Sequence, residues 1–389
     1  MYISRDIEKQ LQDLLNDNKV IILLGARQVG KTTMIEPFVQ KVGGLLLNCD
    51  ISVDKARLSA ASTLNPTEAI KFLGNPKLLV IDEAQTFPEI GRIVKGWYDA
   101  RLPIKIVLLG SSSLDLLDIA SEPLTGRNEK QYLTPLLFSE VLRIQPWYSP
   151  KITKKMLSEQ FNDQVQTLLL QQMVYGSYPA TITSEDKEKY LLNLTSDYLL
   201  RDVLQGGLVK YPEPVKRLLE LLAYQAGSEV VVDELQRTLH ISRQTIDRYL
   251  DLLERSYVIF RLRGFSTNQR KEIGKSNKIF FWDTGVRNAL LKEFSLSPLR
   301  SDIGSLFENW IITEIVKKNL MQGNRNDLYF WRKTDGKEVD LVVRGTNMFK
   351  AYEFKWSKQS STVGSKSFTN TYGIPVEIIT KNNAIQLLR

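Results

Sequence analysis

The stretch GARQVGKT, residues 25–32, has the spacing G-x-x-x-x-G-K-[ST]. Glycines at those two positions let the backbone bend closely enough for its N–H groups to cradle phosphate oxygens. In such a loop the lysine, Lys31, reaches the β- and γ-phosphates, and the Thr32 hydroxyl takes Mg2+. Gly25, Gln28, Gly30, Lys31, Thr32 and Thr33 are therefore the candidate ATP contacts. KLLVIDEAQ, residues 77–85, supplies the second part. Asp82 ends an apolar run where its carboxylate can share the Mg2+ with Thr32, and Glu83 follows where it can polarise an attacking water. The run IKIVLLG leads into Ser111 and Ser112, hydroxyls able to touch the γ-phosphate or that water. Arg127, in LTGR, is a candidate for stabilising transition-state charge, in its own site or a neighbouring subunit's; the alternative is a surface or interface arginine. The candidate catalytic set is Lys31, Glu83, Ser111 and Arg127.

A second group of acids lies near the C-terminus, in EVDLVVRGTNMFKAYEFKW, residues 338–356. Metal-dependent nucleases of the restriction type use a helix Glu, a strand Asp and an acid-x-Lys on the next strand. Glu308, Asp340, Glu353 and Lys355 fill those four roles. The 13 residues from Asp340 to Glu353 suit a strand, a short turn and a return strand, and the alternation of a strand puts Glu353 and Lys355 on one face. An ordinary hairpin and a nuclease-like fold that binds without cutting are the alternatives. Trp331, Arg332 and Lys333, just upstream, suit stacking and backbone contact with a nucleic acid.

Four short runs have to position the first set: KVIILLG (19–25), GLLLNCD (44–50), KLLVIDE (77–83) and IKIVLLG (104–110). Rich in Val, Ile and Leu and apolar on both faces, they predict buried parallel strands alternating with helices, the pattern of a doubly wound α/β sheet. From about 150 to 225 the pattern is helical. VDELQRTLHISRQTIDRYLDLLERSY then predicts two helices joined by HIS, with Leu235, Leu239, Ile241, Ile246, Leu250 and Leu253 as shared core and Ser242 as an N-cap. The second helix exposes Arg243, Gln244, Thr245 and Arg248, side chains suited to phosphates and base edges. VIFRLRGF and KIFFWD are candidate wing strands, and the alternative is a helical module that contacts only protein. His240 reads as a turn residue. The expected division is an ATPase domain at 1–148, a helical connection at 149–225, a winged helix at 226–295 and a nuclease-like domain at 296–389.

Composition bounds the function classes. A chain of 389 residues, 43% hydrophobic and 25% charged, has material for two or three globular cores. No run nears the roughly 20 apolar residues of a membrane span, and the charged start lacks a signal-peptide core. A single cysteine, Cys49, forms no internal disulfide, so a cytoplasmic protein without membrane contact is expected. With one histidine and one cysteine, a zinc site is all but excluded, which leaves Mg2+ on carboxylates. Net charge is +8, and residues 261–389, with 22 Lys/Arg against 12 Asp/Glu, carry +10. A basic C-terminal third is what contact with a polyanion requires; a solubilising surface is the other reading.

GARQVGKTT, VIDEAQ, LLGSSS, LTGR and TPLLFSE together resemble a family of bacterial and archaeal ATPases of the AAA+ superfamily. The resemblance extends through GSYPA, YLLRDV, IFFWDTGVRN, GSLFENWIITE and YFWRKTDGKEVDLVV, nearly the whole chain. It implies an AAA+ like P-loop sheet followed by a winged helix and a fold of the restriction-endonuclease type. Where many relatives have a Thr-Gly-Ser series this chain has Leu109-Gly110-Ser111, which makes Ser111 the sensor candidate. The expected function is a Mg2+-dependent ATPase that binds DNA, branched or junction DNA included, as a homo-oligomer such as a ring. Two alternatives stand beside it: a nucleotide-gated endonuclease of defence or DNA processing, and a signalling or scaffold ATPase that binds protein partners.

Overall fold

The computed structural model describes residues 2–111, 123–199, 212–266, 277–333, 335–357 and 362–388. The chain forms two compact units, 1–134 and 135–389.

In the first unit five strands form one parallel sheet: β1 (Val20–Leu24), β2 (Leu45–Asn48), β3 (Leu78–Asp82), β4 (Lys105–Gly110) and β5 (Asn128–Tyr132), in the order β2-β3-β4-β1-β5. All four apolar runs read from the sequence are strands. Every residue of β1 and β3 is buried, as continuous Val/Ile/Leu strands require. The fifth strand, NEKQY, lacks any apolar run; it is an edge strand held by its ladder to β1. Chain order and sheet order differ at the centre, where β4 lies between β1 and β3. The carboxyl ends of those three strands therefore converge, the place where ligands sit in open α/β sheets.

The second unit opens with helices, including Asn162–Tyr175, and continues as a six-stranded mixed sheet. Its strands are β6 (Ile259–Gly264), β7 (Asn277–Phe281), β8 (Asp327–Arg332), β9 (Glu338–Arg344), β10 (Phe349–Lys355) and β11 (Val376–Thr380), in the order β11-β10-β9-β8-β6-β7. The two helices joined by HIS are present as Val232–Leu239 and Arg243–Arg255. His240 ends the first in a left-handed conformation (φ 54°), and the Ser242 hydroxyl accepts from the Thr245 N–H at 3.2 Å to cap the second. The hairpin β6–β7 that follows does not stand alone as a wing. β6 pairs in parallel with β8, so the hairpin belongs to the same sheet as the acid-bearing strands.

Sequence motifs of this unit meet in one buried polar knot. Gly176 has φ 70°, and a Cβ there would lie 1.9 Å from Asp283 Oδ1. Asp283 Oδ2 accepts from the Ser177 N–H at 2.7 Å, while Oδ1 accepts from the Val286 N–H at 3.1 Å and caps the helix Thr284–Leu291. Lys317 Nζ donates to Glu314 Oε1 (3.0 Å), Ser177 Oγ (2.9 Å) and the Leu136 carbonyl (3.2 Å), and Glu314 Oε2 accepts from the Phe138 N–H at 2.8 Å. GSYPA, WDTG, LLFSE and the helix Ile303–Met321 thus satisfy one another's polar groups away from water.

On the other side of the sheet, Phe265, Trp331, Phe349, Phe368 and Tyr372 pack as an aromatic cluster under the helix Val363–Tyr372. Trp331 is only 3% exposed and its Nε1–H donates to the Tyr372 hydroxyl at 3.2 Å, so it is core and not a stacking platform for nucleic acid. Phe368 is fully buried at the centre of the cluster. Phe368→Ala is expected to lower the stability of this unit by about 3–5 kcal/mol, read from the shift of its urea unfolding midpoint.

Candidate functional site

The phosphate loop follows β1 and ends at the helix Lys31–Val42. Gly30 has φ 92°, a conformation that only glycine takes cheaply, and Gln28 carries its own left-handed φ of 61°. At Gly25 the requirement is space: a Cβ would lie 2.0 Å from the Leu133 carbonyl oxygen. That carbonyl belongs to the chain leaving β5, where the Leu133 N–H bonds Leu24 O at 2.7 Å, so it has little room to retreat. Gly25→Ala is expected to cost at least about 1–3 kcal/mol of folding stability and to weaken nucleotide binding with it, measured by thermal unfolding and by titration with a fluorescent nucleotide. Behind the loop the buried Arg5 donates to Val29 O (3.0 Å) and Thr134 O (2.6 Å), a brace that no sequence motif announces.

Lys31 is buried, and its ammonium rests on two carbonyls of its own loop, Gly25 O at 2.8 Å and Ala26 O at 2.9 Å. Thr33 is exposed one position beyond Thr32 at the start of the helix. The Thr32 hydroxyl donates to Asp82 Oδ2 at 2.7 Å, and Asp82 Oδ1 accepts from the Glu83 N–H at 2.9 Å. Burial pushes the Asp82 carboxyl above the usual carboxylate range, while the bond from Thr32 opposes the shift.

Glu83 turns out of β3 in a left-handed conformation, φ 48°. Its Oε2 accepts from Ser111 Oγ at 2.9 Å and from the Gln85 amide, which also reaches Ser111 Oγ at 3.1 Å. Placing β4 between β1 and β3 brings Ser111 to this carboxylate. Leu109 is fully buried in the strand, and Ser112 lies outside the described residues. Gln85 is a site residue that the strand-and-acid pattern passed over, although it stands within VIDEAQ.

Arg127 is elsewhere. Its carbonyl accepts from the Val20 N–H at the start of β1, whereas the phosphate loop leaves the other end of that strand. Five residues of strand separate the two ends by about 16 Å. The guanidinium is held by Asp99, Nε to Oδ1 at 2.7 Å and Nη2 to Oδ2 at 3.4 Å.

In the second unit the acids of the tail assemble in part. Oxygens of Glu308, Glu338 and Asp340 lie within 4.8 Å of one another, the one such group among the described residues. Glu338 takes the place that the sequence pattern reserved for Glu353; two residues before Asp340, it shares that residue's face of β9. Glu353 is buried alongside, where Thr362 donates to its Oε2 at 2.8 Å, Ser365 also contacts Oε2, and Lys355 Nζ stands 3.1 Å from Oε1. Lys278, buried on β7, bonds Glu308 Oε1 at 3.0 Å and contacts Glu338. Burial and the neighbouring Glu308 push the Asp340 carboxyl up to about 8, against Lys278 and Lys355, and its Oδ2 accepts from the Phe354 N–H at 2.7 Å.

The candidate nucleic-acid contacts are dispersed. Arg243 pairs with Asp233 at 3.3 Å and lies 4.0 Å from Asp247, so part of its charge is neutralised locally. Gln244 and Arg248 are exposed, while the Thr245 hydroxyl lies 2.8 Å from Ser242 Oγ in the helix cap. Arg332 faces Glu229 (3.6 Å) and Glu338 (3.8 Å), and Lys333 lies 3.3 Å from Ser367 Oγ.

Comparison with known proteins agrees with the first unit's geometry. Residues 17–142 match the AAA domain family, and residues 166–297 and 303–386 match two domains of unknown function, DUF8612 and DUF4143. An uncharacterized protein of Mycobacterium tuberculosis is 28% identical over 357 residues, 90% of this chain and 73% of that protein. One from Methanocaldococcus jannaschii is 27% identical over 360 residues, 89% of this chain and 76% of its own. A solved Walker-type ATPase of Pyrococcus abyssi is similar in fold, with a TM-score of 0.50 and 17% identity over 75% of this chain and 96% of that one. The first unit has the fold of a P-loop ATPase of the AAA type. The second carries a mixed sheet whose two matching families have no described function. No helix among the described residues is long and apolar enough to cross a membrane.

Proposed function

We propose that this chain hydrolyses ATP in its first unit and uses the second to hold DNA. The observation that carries the first half is the convergence at the carboxyl ends of β1, β3 and β4: Thr32 bonded to Asp82 at 2.7 Å beside a Glu83 already oriented by Ser111 and Gln85. A hydroxyl and a carboxylate in contact are the hard oxygen donors that suit Mg2+, so Thr32 and Asp82 would hold it. Bound there with ATP, Mg2+ would neutralise charge on the phosphates. Lys31 exchanges its two loop carbonyls for phosphate oxygens, and the loop N–H groups cradle the remainder. Glu83 takes the proton of the attacking water, and Ser111 keeps its carboxylate aimed. Phosphate release from ATP by the purified chain, lost in Lys31→Ala, tests this half.

The DNA half is supported by the +10 balance of residues 261–389 and by the helix–turn–helix followed by the hairpin β6–β7, the order of a winged helix. Support for a nuclease-type frame comes from Glu308 on a helix, Asp340 on β9 and Glu353-x-Lys355 on β10 in chain and spatial order. We place the helical connection at 149–225, the winged helix at 226–295 and the nuclease-like part at 296–389, with the hairpin β6–β7 of the second completing the sheet of the third. Arg127, remote from its own phosphate loop, would act on a nucleotide only in an oligomer, at a neighbour's site. Anisotropy with linear, hairpin and four-way-junction DNA at low and moderate salt, with and without ATP, tests the reading. Salt-dependent binding supports it, and the absence of binding to all three at low salt overturns it.

A further inference from the structure

A nuclease of the restriction type would hold its divalent cation on the acids gathered at Glu308, Glu338 and Asp340. Taken alone, three convergent carboxylates suit such an ion. The chain, however, brings its own cation to them. Lys278 comes from β7, a strand far from these acids in sequence, and its side chain is 4% exposed. The ammonium lies 3.0 Å from Glu308 Oε1 and in contact with Glu338, with Asp340 next to it. Phe330 on β8 lies beside it, Nζ 5.7 Å from the ring centroid. Arg332 stands 3.8 Å from Glu338, and Lys355 pairs with Glu353 at the rim. A dication entering this cluster would meet a fixed ammonium in low-dielectric surroundings, and it could bind well only if Lys278 were forced out of a packed strand.

We propose that Lys278 is the resident cation of this cluster, so that the nuclease-type part of unit 2 takes no divalent metal and leaves bound DNA uncut. The inference rests on the nuclease-type reading above and departs from the metal that reading implies. It assigns Lys278 as a positioning residue, holding Glu308, Glu338 and Asp340 together in a metal's stead.

The test is a Mn2+ titration of the full chain followed by electron paramagnetic resonance, in an Asp82→Asn background that removes the nucleotide-site ligand. The wild-type cluster is expected to show no binding up to millimolar Mn2+. Lys278→Gln, checked as folded by circular dichroism, is expected to gain a site at least about 100-fold tighter, which Asp340→Asn removes. Wild-type binding that Asp340→Asn abolishes overturns the proposal, as does a folded Lys278→Gln that gains nothing. Should Lys278→Gln not fold, the wild-type titration decides alone, with DNA cleavage in Mn2+ as a second measurement; cutting that is lost in Asp340→Asn but kept in Lys31→Ala overturns it. Failure of the chain to bind DNA defeats the DNA reading and leaves the Mn2+ result standing, so the two failures are distinguishable.

Discussion

Glu83→Gln lowers ATP turnover by about 10²–10⁴-fold while nucleotide affinity stays within a few-fold of wild type, the expected signature of losing a general base without losing the phosphate cradle. The amide keeps the shape of the side chain and can still accept from Ser111, so the loop and the Thr32–Asp82 pair remain in place. What would disappear is the basic oxygen proposed to take the proton of the attacking water. Lys31→Ala behaves differently: it removes the ammonium that now bonds Gly25 O and Ala26 O, so binding and turnover fall together. Single-turnover hydrolysis compared with equilibrium binding of a fluorescent ATP analogue separates the two. Equal losses of affinity and turnover in Glu83→Gln would show that Glu83 supports the loop and does not serve the water.

The second large effect is on stability. Lys317→Met is expected to destabilise the second unit by about 3–5 kcal/mol, because a buried pair broken on one side leaves charge with no counterpart. Lys317 joins Glu314, Ser177 and Leu136 O, and its positive charge also offsets Asp283. Burial already pushes the Asp283 carboxyl above its ordinary range, with Lys317 opposing. Without the lysine that shift grows. A carboxyl whose folded pKa lies above its unfolded value binds more protons folded than unfolded, so stability falls as pH rises through the interval between them. The cost of Lys317→Met is therefore largest at high pH and shrinks on acidification. Adding Glu314→Leu should recover part of it, and urea unfolding of the single and double variants across pH measures both. A pH-independent loss that Glu314→Leu leaves unchanged would mean that Lys317 contributes packing and not charge.

This buried knot also gives several motif residues of the second unit a structural role. Gly176, Ser177, Asp283 and Glu314 belong to motifs that could be taken for active-site signatures, yet they meet in the interior: Ser177 bonds Asp283, Lys317 links Ser177 to Glu314, and Gly176 packs against Asp283. Asn309 and Asn288 do the same, closing Phe281 and the helix Asn162–Tyr175 with backbone bonds. Polar residues within such motifs mark a fold's internal joints as readily as its chemistry, because an unpaired buried polar group is costly in either place.

Local information sufficed for four strands and the phosphate loop of the first unit. Four apolar runs with Gly, Lys and Thr at fixed offsets specify strand, phosphate loop and helix within a few residues of chain, and the AAA-type fold carries each of them. The helix–HIS–helix segment was legible for the same reason: periodicity, a left-handed turn and a hydroxyl cap are all short-range. Distance in sequence hid the rest. β5 is polar and becomes a strand only because β1 offers an unpaired edge; Ser111 meets Glu83 only because β4 inserts between strands that precede it in the chain. Trp331 read as exposed beside two basic residues until its neighbours across the sheet buried it. Lys278 lies 30 residues from Glu308 in the chain and farther still from Glu338 and Asp340, with no periodicity joining them. The sequence alone determined which chemical groups each unit possesses. Their pairing was decided by strand order, since a sheet joins side chains by register, which residue spacing does not encode.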